Sequence, residues 1–317
     1  MDKLFEKISI ELKEKLMAAV EKHRAEGILF SGGLDSSILA LLSPQASLFS
    51  VSLESYGEDL NFARLTAKYL RRKHHIAQIE TREALTTIPK VIGILKTFDL
   101  ALPNDLATYF ALRLAKEKGI SSVITGDGAD ELFCGYSYMF NIDLEAYLPH
   151  LAKRMHFSSP DLGKTFGIKV KQPFLDKEFI EFALRIPPNL KVMNEKTKTW
   201  GKWILRKAFA GDLPQQILWQ EKRPIELGSG FNTLRKIIES RIPHEKFQKR
   251  QKKYSIKFLN REHFYYYEIY RNVVGEISRP QEGQAECPFC GAGMDKMAFH
   301  CRTCGRSKEN PHLRSKK

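Results

Sequence analysis

No stretch of this chain approaches the ~18 consecutive apolar residues that a membrane helix needs. The first residues, MDKLFEKISIELKEK, are charged where a secretory leader would be apolar. No membrane partner is expected, and the expected location is cytoplasmic. Cysteine is scarce: there are five, and four of them form two CxxC pairs near the C-terminus. In a reducing compartment that pattern reads as metal binding and not as a disulfide framework. Acidic residues are outnumbered 37 to 51 by Lys and Arg, and the formal net charge of +14 favours phosphate-rich partners, nucleic acid among them. There is no internal repeat. The pattern GxxxxGK[ST] is also missing, which excludes a Walker-type phosphate loop. What is present, 317 residues with 43% hydrophobic and 28% charged, suffices for one large domain and a small second one.

Leu4, Ile8, Leu12, Leu16 and Val20 recur at helical spacing and predict an amphipathic helix packed on a core. Gly27 to Phe30 then reads as a strand, Ser31 to Ser36 as a turn, and Ile38 to Leu42 as a helix. The unit recurs. Ala46 to Leu53 predicts a second strand, Leu60 to Lys73 a helix, His75 to Ile79 a third strand, Leu106 to Gly119 a helix, and Ser122 to Thr125 a strand. Such alternation implies right-handed βαβ units and a parallel sheet covered on both faces. Beyond about Ser137 the pattern turns mostly helical, most clearly over Phe179 to Ile186 and Thr199 to Ala210.

Two loops carry the chemistry. In Ser31-Gly32-Gly33-Leu34-Asp35-Ser36-Ser37 a Gly-Gly turn between strand and helix brings backbone N–H groups close to an anion, and the helix start adds partial positive charge. Ser31, Ser36 and Ser37 can donate to phosphate oxygens, while Asp35 can hold the magnesium ion that neutralises them. The loop resembles the SGGxDS signature of the PP-loop ATP pyrophosphatases, which cleave ATP between the α and β phosphates. Taken alone, such a turn also fits a merely tight connection. The second loop, Thr125 to Glu131, sets Asp127, Asp130 and Glu131 around Gly126 and Gly128 at a strand's carboxyl end, where parallel sheets place ligands. Crowded carboxylates call for a cation or for solvent. Asp35 and Asp130 together suit the magnesium that accompanies ATP.

The blocks SGGLDSS, FSVSLESYGEDLNFARLTAKYL, GDGADELFCGY, KQPFLDKEFIEFALRIP, KWILRKAF and ILWQEKRPIELGSG occur in order. Together they resemble the synthetase domain of asparagine synthetase B and its relatives, β-lactam synthetase included, from about residue 10 to 275. The resemblance implies an adenine nucleotide α hydrolase-like PP-loop fold and an AMP-forming carbon–nitrogen ligase that adenylates a carboxylate. It places ATP on Ser31, Gly32, Gly33, Leu34, Asp35, Ser36, Ser37, Gly126 and Lys222, and magnesium on Asp35 and Asp130. Lys222, after Trp219-Gln220-Glu221, matches the family's lysine at the α-phosphate. Asp127 stands where many asparagine synthetases have the Glu of GEG, which implies a general-base role toward the attacking amine. Glutamine-dependent members begin with a glutaminase domain and a nucleophilic cysteine after Met1. Asp2 follows Met1 here, so nitrogen is expected from ammonia, an ammonia-supplying partner subunit or the substrate's own amine, and Cys134 reads as a buried hydrophobe.

Cys287-Pro-Phe-Cys290 and Cys301-Arg-Thr-Cys304, each followed by Gly, have the spacing of a four-thiolate zinc ribbon. Four protein ligands leave no open position, so the zinc is expected to be structural, with His300 at the surface. The expected organisation is an ATP pyrophosphatase domain over 1–274, a linker over 275–286, the ribbon over 287–308 and a basic tail over 309–317. The ribbon reads either as a protein-docking module or as a nucleic-acid grip with Arg302, Arg306, Lys308, Arg314, Lys316 and Lys317. Lys246, Lys249, Arg250, Lys252, Lys253 and Lys257 lie among Phe247, Tyr254 and Phe258, which suits either RNA contact or a solvated helix face over core aromatics. His74, His75 and the tyrosines from Tyr265 to Tyr270 read as structural. Three functions remain: an ammonia-dependent ligase acting on a small carboxylate such as aspartate, a tRNA-modifying ligase with the same chemistry, and a catalytically dead nucleotide binder.

Overall fold

The computed structural model describes residues 2–57, 59–195 and 198–308. The expected basic tail, with Arg314, Lys316 and Lys317, lies outside them. Among the described residues no helix is long and apolar enough to cross a membrane. The chain opens with α1 (Asp2–Lys22), which buries Leu12, Leu16, Ala19 and Val20 while Leu4 stays exposed. Then follow β1 (Gly27–Leu29), α2 (Leu34–Leu42), β2 (Ser47–Leu53), α3 (Asp59–Tyr69), β3 (His74–Ile79), α4 (Thr81–Leu95), α5 (Leu102–Glu117), β4 (Ser122–Ile124) and α6 (Ala129–Phe133). A late strand, β5 (Lys169–Lys171), completes a five-stranded sheet of order β3-β2-β1-β4-β5 in which every pairing is parallel.

Alternate residues of β2 serve two cores, as the two-residue period of a strand requires. Phe49, Val51 and Leu53 join α4 and α5 on one face, whereas Leu48 joins α1 and α2 on the other. The chain moves outward from β1 to β3 and then crosses to β4, which pairs with β1 on its free side. That is a topological switch point, where the loops leaving two neighbouring strands open a crevice at the carboxyl edge. The loops after β1 and β4 are the two acidic, glycine-bearing loops of the sequence. Because α5 runs back to feed β4, its first turn also stands at this edge.

The second half is mostly helical, with two small antiparallel hairpins, Met193–Glu195 with Lys198–Trp200 and Gln284–Glu286 with Gly293–Asp295. Some boundaries differ from the sequence expectation. The helix α3 stops at Tyr69, because Arg71 turns left-handed (φ 51°) and the Arg72 guanidinium donates to the carbonyls of Ala40 (2.7 Å) and Ser43 (2.6 Å). The segment 199–210 is helical only over Trp203–Ala208, since Lys202 also adopts a left-handed backbone (φ 55°). The helix α4, with Pro89 inside it, and β5 were not expected from the sequence.

Candidate active site

At the first loop Gly32 has φ +76°, and a Cβ there would stand 2.3 Å from the backbone nitrogen of Ala63. Only glycine lets the turn lie this close to α3. Leu34 anchors the start of α2 in the core. Ser31 Oγ accepts the Gly33 N–H (3.2 Å) and lies 3.2 Å from Ser36 Oγ, so the serines pre-shape the loop. Ser37 Oγ is buried without a partner. Gln220 Nε2 donates to the Gly32 carbonyl (3.0 Å), which ties the Trp219–Lys222 turn to this loop.

Gly126 lies against the Asp35 side chain. Between the loops runs a chain of alternating charges. Lys202 Nζ lies 2.5 Å from Asp35 Oδ2 and 2.6 Å from Asp130 Oδ1, and Lys222 Nζ lies 2.6 Å from Asp130 Oδ2. Burial alone would raise the Asp130 carboxyl, but Lys202 and Lys222 outweigh it and hold it down at about 2. Burial would likewise lower the Lys222 ammonium, and the charges of Asp130 and Asp35 reverse the shift. Among the described residues Glu131 pairs with no cation. Burial, helped by the charge of Asp130, raises its carboxyl to about 7, the charge of Lys202 lowering it only in part, and Tyr136 Oη donates to it at 3.1 Å. Asp35 Oδ1 is buried and takes no hydrogen bond. A hard divalent cation suits that oxygen and the neighbouring Asp130, so the donor set fits magnesium.

Lys202 was not among the residues singled out from the sequence, although it opens the block KWILRKAF. No local pattern marks it, because its function depends on carboxylates far away in the chain. Arg206 was also missed. Its buried guanidinium donates to the carbonyls of Gly201 (3.0 Å), Leu218 and Gln220 (3.1 Å), so it fastens the Lys202 segment to the turn that carries Lys222.

Asp127 faces a different set of partners. Its Oδ2 accepts from Thr125 Oγ1 (2.7 Å), Ser159 Oγ (2.5 Å) and Gln172 Nε2 (2.9 Å), all of them neutral donors. The neighbouring Ser158 donates to Asp105 (2.5 Å), in the first turn of α5. Burial raises the Asp105 carboxyl to about 7, against the pull of that hydrogen bond and with help from the charges of Asp99 and Asp127. Cys134 is fully buried, and burial pushes its thiol up to about 12.

The sulfurs of Cys287, Cys290, Cys301 and Cys304 lie within 4.8 Å of one another. Cys287 to Cys304 and Cys290 to Cys301 both measure 3.8 Å between sulfurs. Zn–S bonds of about 2.3 Å at tetrahedral angles separate sulfurs by roughly 3.8 Å, so the cluster fits a zinc ion, whereas a disulfide needs about 2.05 Å. His300 is exposed and pairs with Asp99 at 3.3 Å. Phe247, Tyr254 and Phe258 pack around Phe264, so these rings belong to a core and not to a base-stacking platform. Lys246, Lys249, Lys252, Lys253 and Lys257 are exposed, whereas Arg306 is spent on Phe289 (3.8 Å from the ring) and the Lys257 carbonyl (2.9 Å).

A parallel α/β sheet with a glycine-bent phosphate loop and an acidic loop at its switch point defines a PP-loop nucleotide-binding enzyme domain. The asparagine synthase family model matches residues 11–165 and 142–285, and the chain belongs to that family, carrying its ATP-dependent ligase domain. The family match ends just before Cys287. The chain is 29% identical over 308 residues to a probable glutamine-hydrolysing asparagine synthetase of Dictyostelium discoideum, covering 85% of this chain and 55% of that protein. It is 28% identical over 312 residues to asparagine synthetase B of Escherichia coli K12, covering 87% and 55%. A probable asparagine synthetase of Schizosaccharomyces pombe is 31% identical over 269 residues, covering 72% and 47%. The chain thus spans about half the length of the curated relatives it matches. Among solved structures, a U34-tRNA thiolase from Methanococcus maripaludis with a [4Fe-4S] cluster has a TM-score of 0.36 at 14% identity, covering 100% of this chain and 92% of that one. An NMN synthetase from Francisella tularensis has a TM-score of 0.31 at 16% identity, covering 88% and 98%.

Proposed function

We propose that this protein is an AMP- and pyrophosphate-forming amide ligase, which adenylates a carboxylate and then transfers ammonia or an amine to it. The observation that carries this reading is the array Asp35–Lys202–Asp130–Lys222 beside the phosphate loop. Magnesium held by Asp35 and Asp130 would neutralise the leaving pyrophosphate. Ser31, Ser36 and Ser37 and the N–H groups of the Gly-Gly turn receive its oxygens. Lys222, held by one carboxylate and partly exposed, is placed to follow charge that develops at the α-phosphate, which accelerates the step more than ground-state binding would. Asp127, fixed through one oxygen, offers the other to the proton of the incoming nitrogen. Cys134 is no candidate nucleophile for glutamine, because burial raises its thiol to about 12.

A second reading keeps the chemistry and moves the carboxylate onto a tRNA base. It is favoured by the exposed lysines from Lys246 to Lys257 and by the formal charge of +14, both suited to phosphate contact. The test is pyrophosphate release by the purified protein with ATP, magnesium and ammonium, offered either aspartate or unmodified bulk tRNA. Stimulation by aspartate alone would reject the RNA reading, and stimulation by tRNA alone would reject the small-acid reading. An Asp35→Asn variant that kept full activity on either would reject the mechanism.

A further inference from the structure

Besides the contacts of Phe289 and Arg306 with Lys257, two further arms key the four-cysteine module into the catalytic body. In the first, the Thr303 carbonyl accepts from Phe98 N–H (2.8 Å) and Thr97 Oγ1 (3.2 Å), while His300 pairs with Asp99 at 3.3 Å. Gly305 packs directly on the Asp99 carboxylate. Phe98 is buried between the rings of His263, Tyr267 and Tyr270, at 5.1 to 5.3 Å. The turn Thr97–Asp99 leads into α5, and Asn104 in the first turn of that helix accepts the Glu226 N–H at 2.8 Å. Glu226 belongs to the short helix Ile225–Gly228, which follows Lys222 almost at once.

The second arm runs along the segment after α6. His150 Nε2 lies 3.2 Å from the Met297 carbonyl, its ring lies 5.0 Å from Phe299, and Arg154 lies 3.8 Å from Asp295. That segment continues into Ser158 and Ser159, whose hydroxyls hold Asp105 and Asp127. The first arm therefore ends beside Lys222 and the second on Asp127. Among the described residues, no hydrogen bond or ion pair joins the module to Ser31–Ser37, Lys202 or Asp130.

We infer that the metal-closed module braces the reaction side of the active site, positioning Lys222 through Asn104 and Asp127 through Ser159, while leaving the phosphate loop to stand by itself. The module is too short for a core of its own, so its shape depends on the ion across the four sulfurs. Loss of the ion slackens both arms. Asn104 is a positioning residue, since it reaches the chemistry only through the Glu226 backbone.

Hydrogen exchange on the full-length protein tests this, before and after stripping the metal with a thiol-directed mercurial and a chelator. Residues 97–105, 154–159 and 222–230 should exchange roughly tenfold faster or more once their braces are lost, with 27–37 unchanged and magnesium–ATP binding retained. In metal-loaded protein, Asn104→Ala should speed exchange over 222–230 alone, and Asn104→Asp, which keeps an acceptor oxygen for the Glu226 N–H, should restore it. Fast exchange confined to the module would overturn the brace. So would fast exchange that extends to 27–37, or an Asn104→Ala variant without effect. The consequence for catalysis rests on the roles given to Lys222 and Asp127 above. If exchange follows the expected pattern while metal loss leaves pyrophosphate release unaltered, those roles fail and the brace stands.

Discussion

The two sides of the crevice are held by different physics. On the nucleotide side charge meets charge: Asp35, Lys202, Asp130 and Lys222 alternate in a nearly closed, partly buried chain. On the acceptor side Asp127 is held by hydroxyl and amide donors, from Thr125, Ser159 and Gln172. The first arrangement keeps Asp130 ionised at any physiological pH, as the proposed magnesium and phosphate site would need. The second fixes a carboxylate in space through neutral donors. The ligase chemistry proposed above, which binds a polyanion and then takes a proton from nitrogen, would need both, kept apart. The separation begins with α6, where Asp127 precedes the helix and Asp130 lies in its first turn.

Breaking the charged side should cost most. Lys202→Met leaves Asp35 and Asp130 facing each other with one cation instead of two, and should lower stability by about 3 kcal/mol, the scale for orphaning a buried ion-pair partner. Millimolar magnesium should recover part of that loss; chemical denaturation with and without the ion measures both, and an unchanged midpoint would contradict the array. A middle-sized effect is expected from Asp105→Asn. The folded-state pKa of Asp105 is raised from 3.8 to about 7. Between those values the folded chain keeps a proton that the unfolded chain releases, so this group's contribution falls as pH rises through that window. The variant should flatten the decline by on the order of 2 kcal/mol between pH 5 and 8, read from denaturation midpoints at the two pH values. Smallest is Ser159→Ala, which removes one of three neutral donors to Asp127. It should cost about 1 kcal/mol, with turnover falling more than ATP affinity; an equal fall in ATP affinity would mean that the two sides are not separate.

Much of the nucleotide side was legible because its geometry is local. A Gly-Gly turn between strand and helix has few conformations, and the serines that shape it lie within the same seven residues. The cysteine spacing was legible for the same reason, since a CxxC loop brings two sulfurs to one ion. The acceptor side was not. Ser158, Ser159, Gln172 and Asn104 are ordinary polar residues whose partners come from other segments, and Lys202 reaches Asp35 across 167 positions of sequence. The aromatics beside the basic cluster left two readings open in the sequence. Phe247, Tyr254 and Phe258 sit among lysines in the sequence, yet the core around Phe264 claims them because burying a ring gains more than leaving it in water.

The sequence by itself determined the alternation of strands and helices, the phosphate loop, the acidic loop and the four-cysteine cluster, since each follows from short-range sterics, periodicity or ligand spacing. Only the tertiary structure decided which carboxylate meets a cation and which meets neutral donors. It also decided that the cysteine module rests on the turn before α5. Those outcomes depend on which distant segments the sheet's crossover brings to one edge, and no local interaction encodes that.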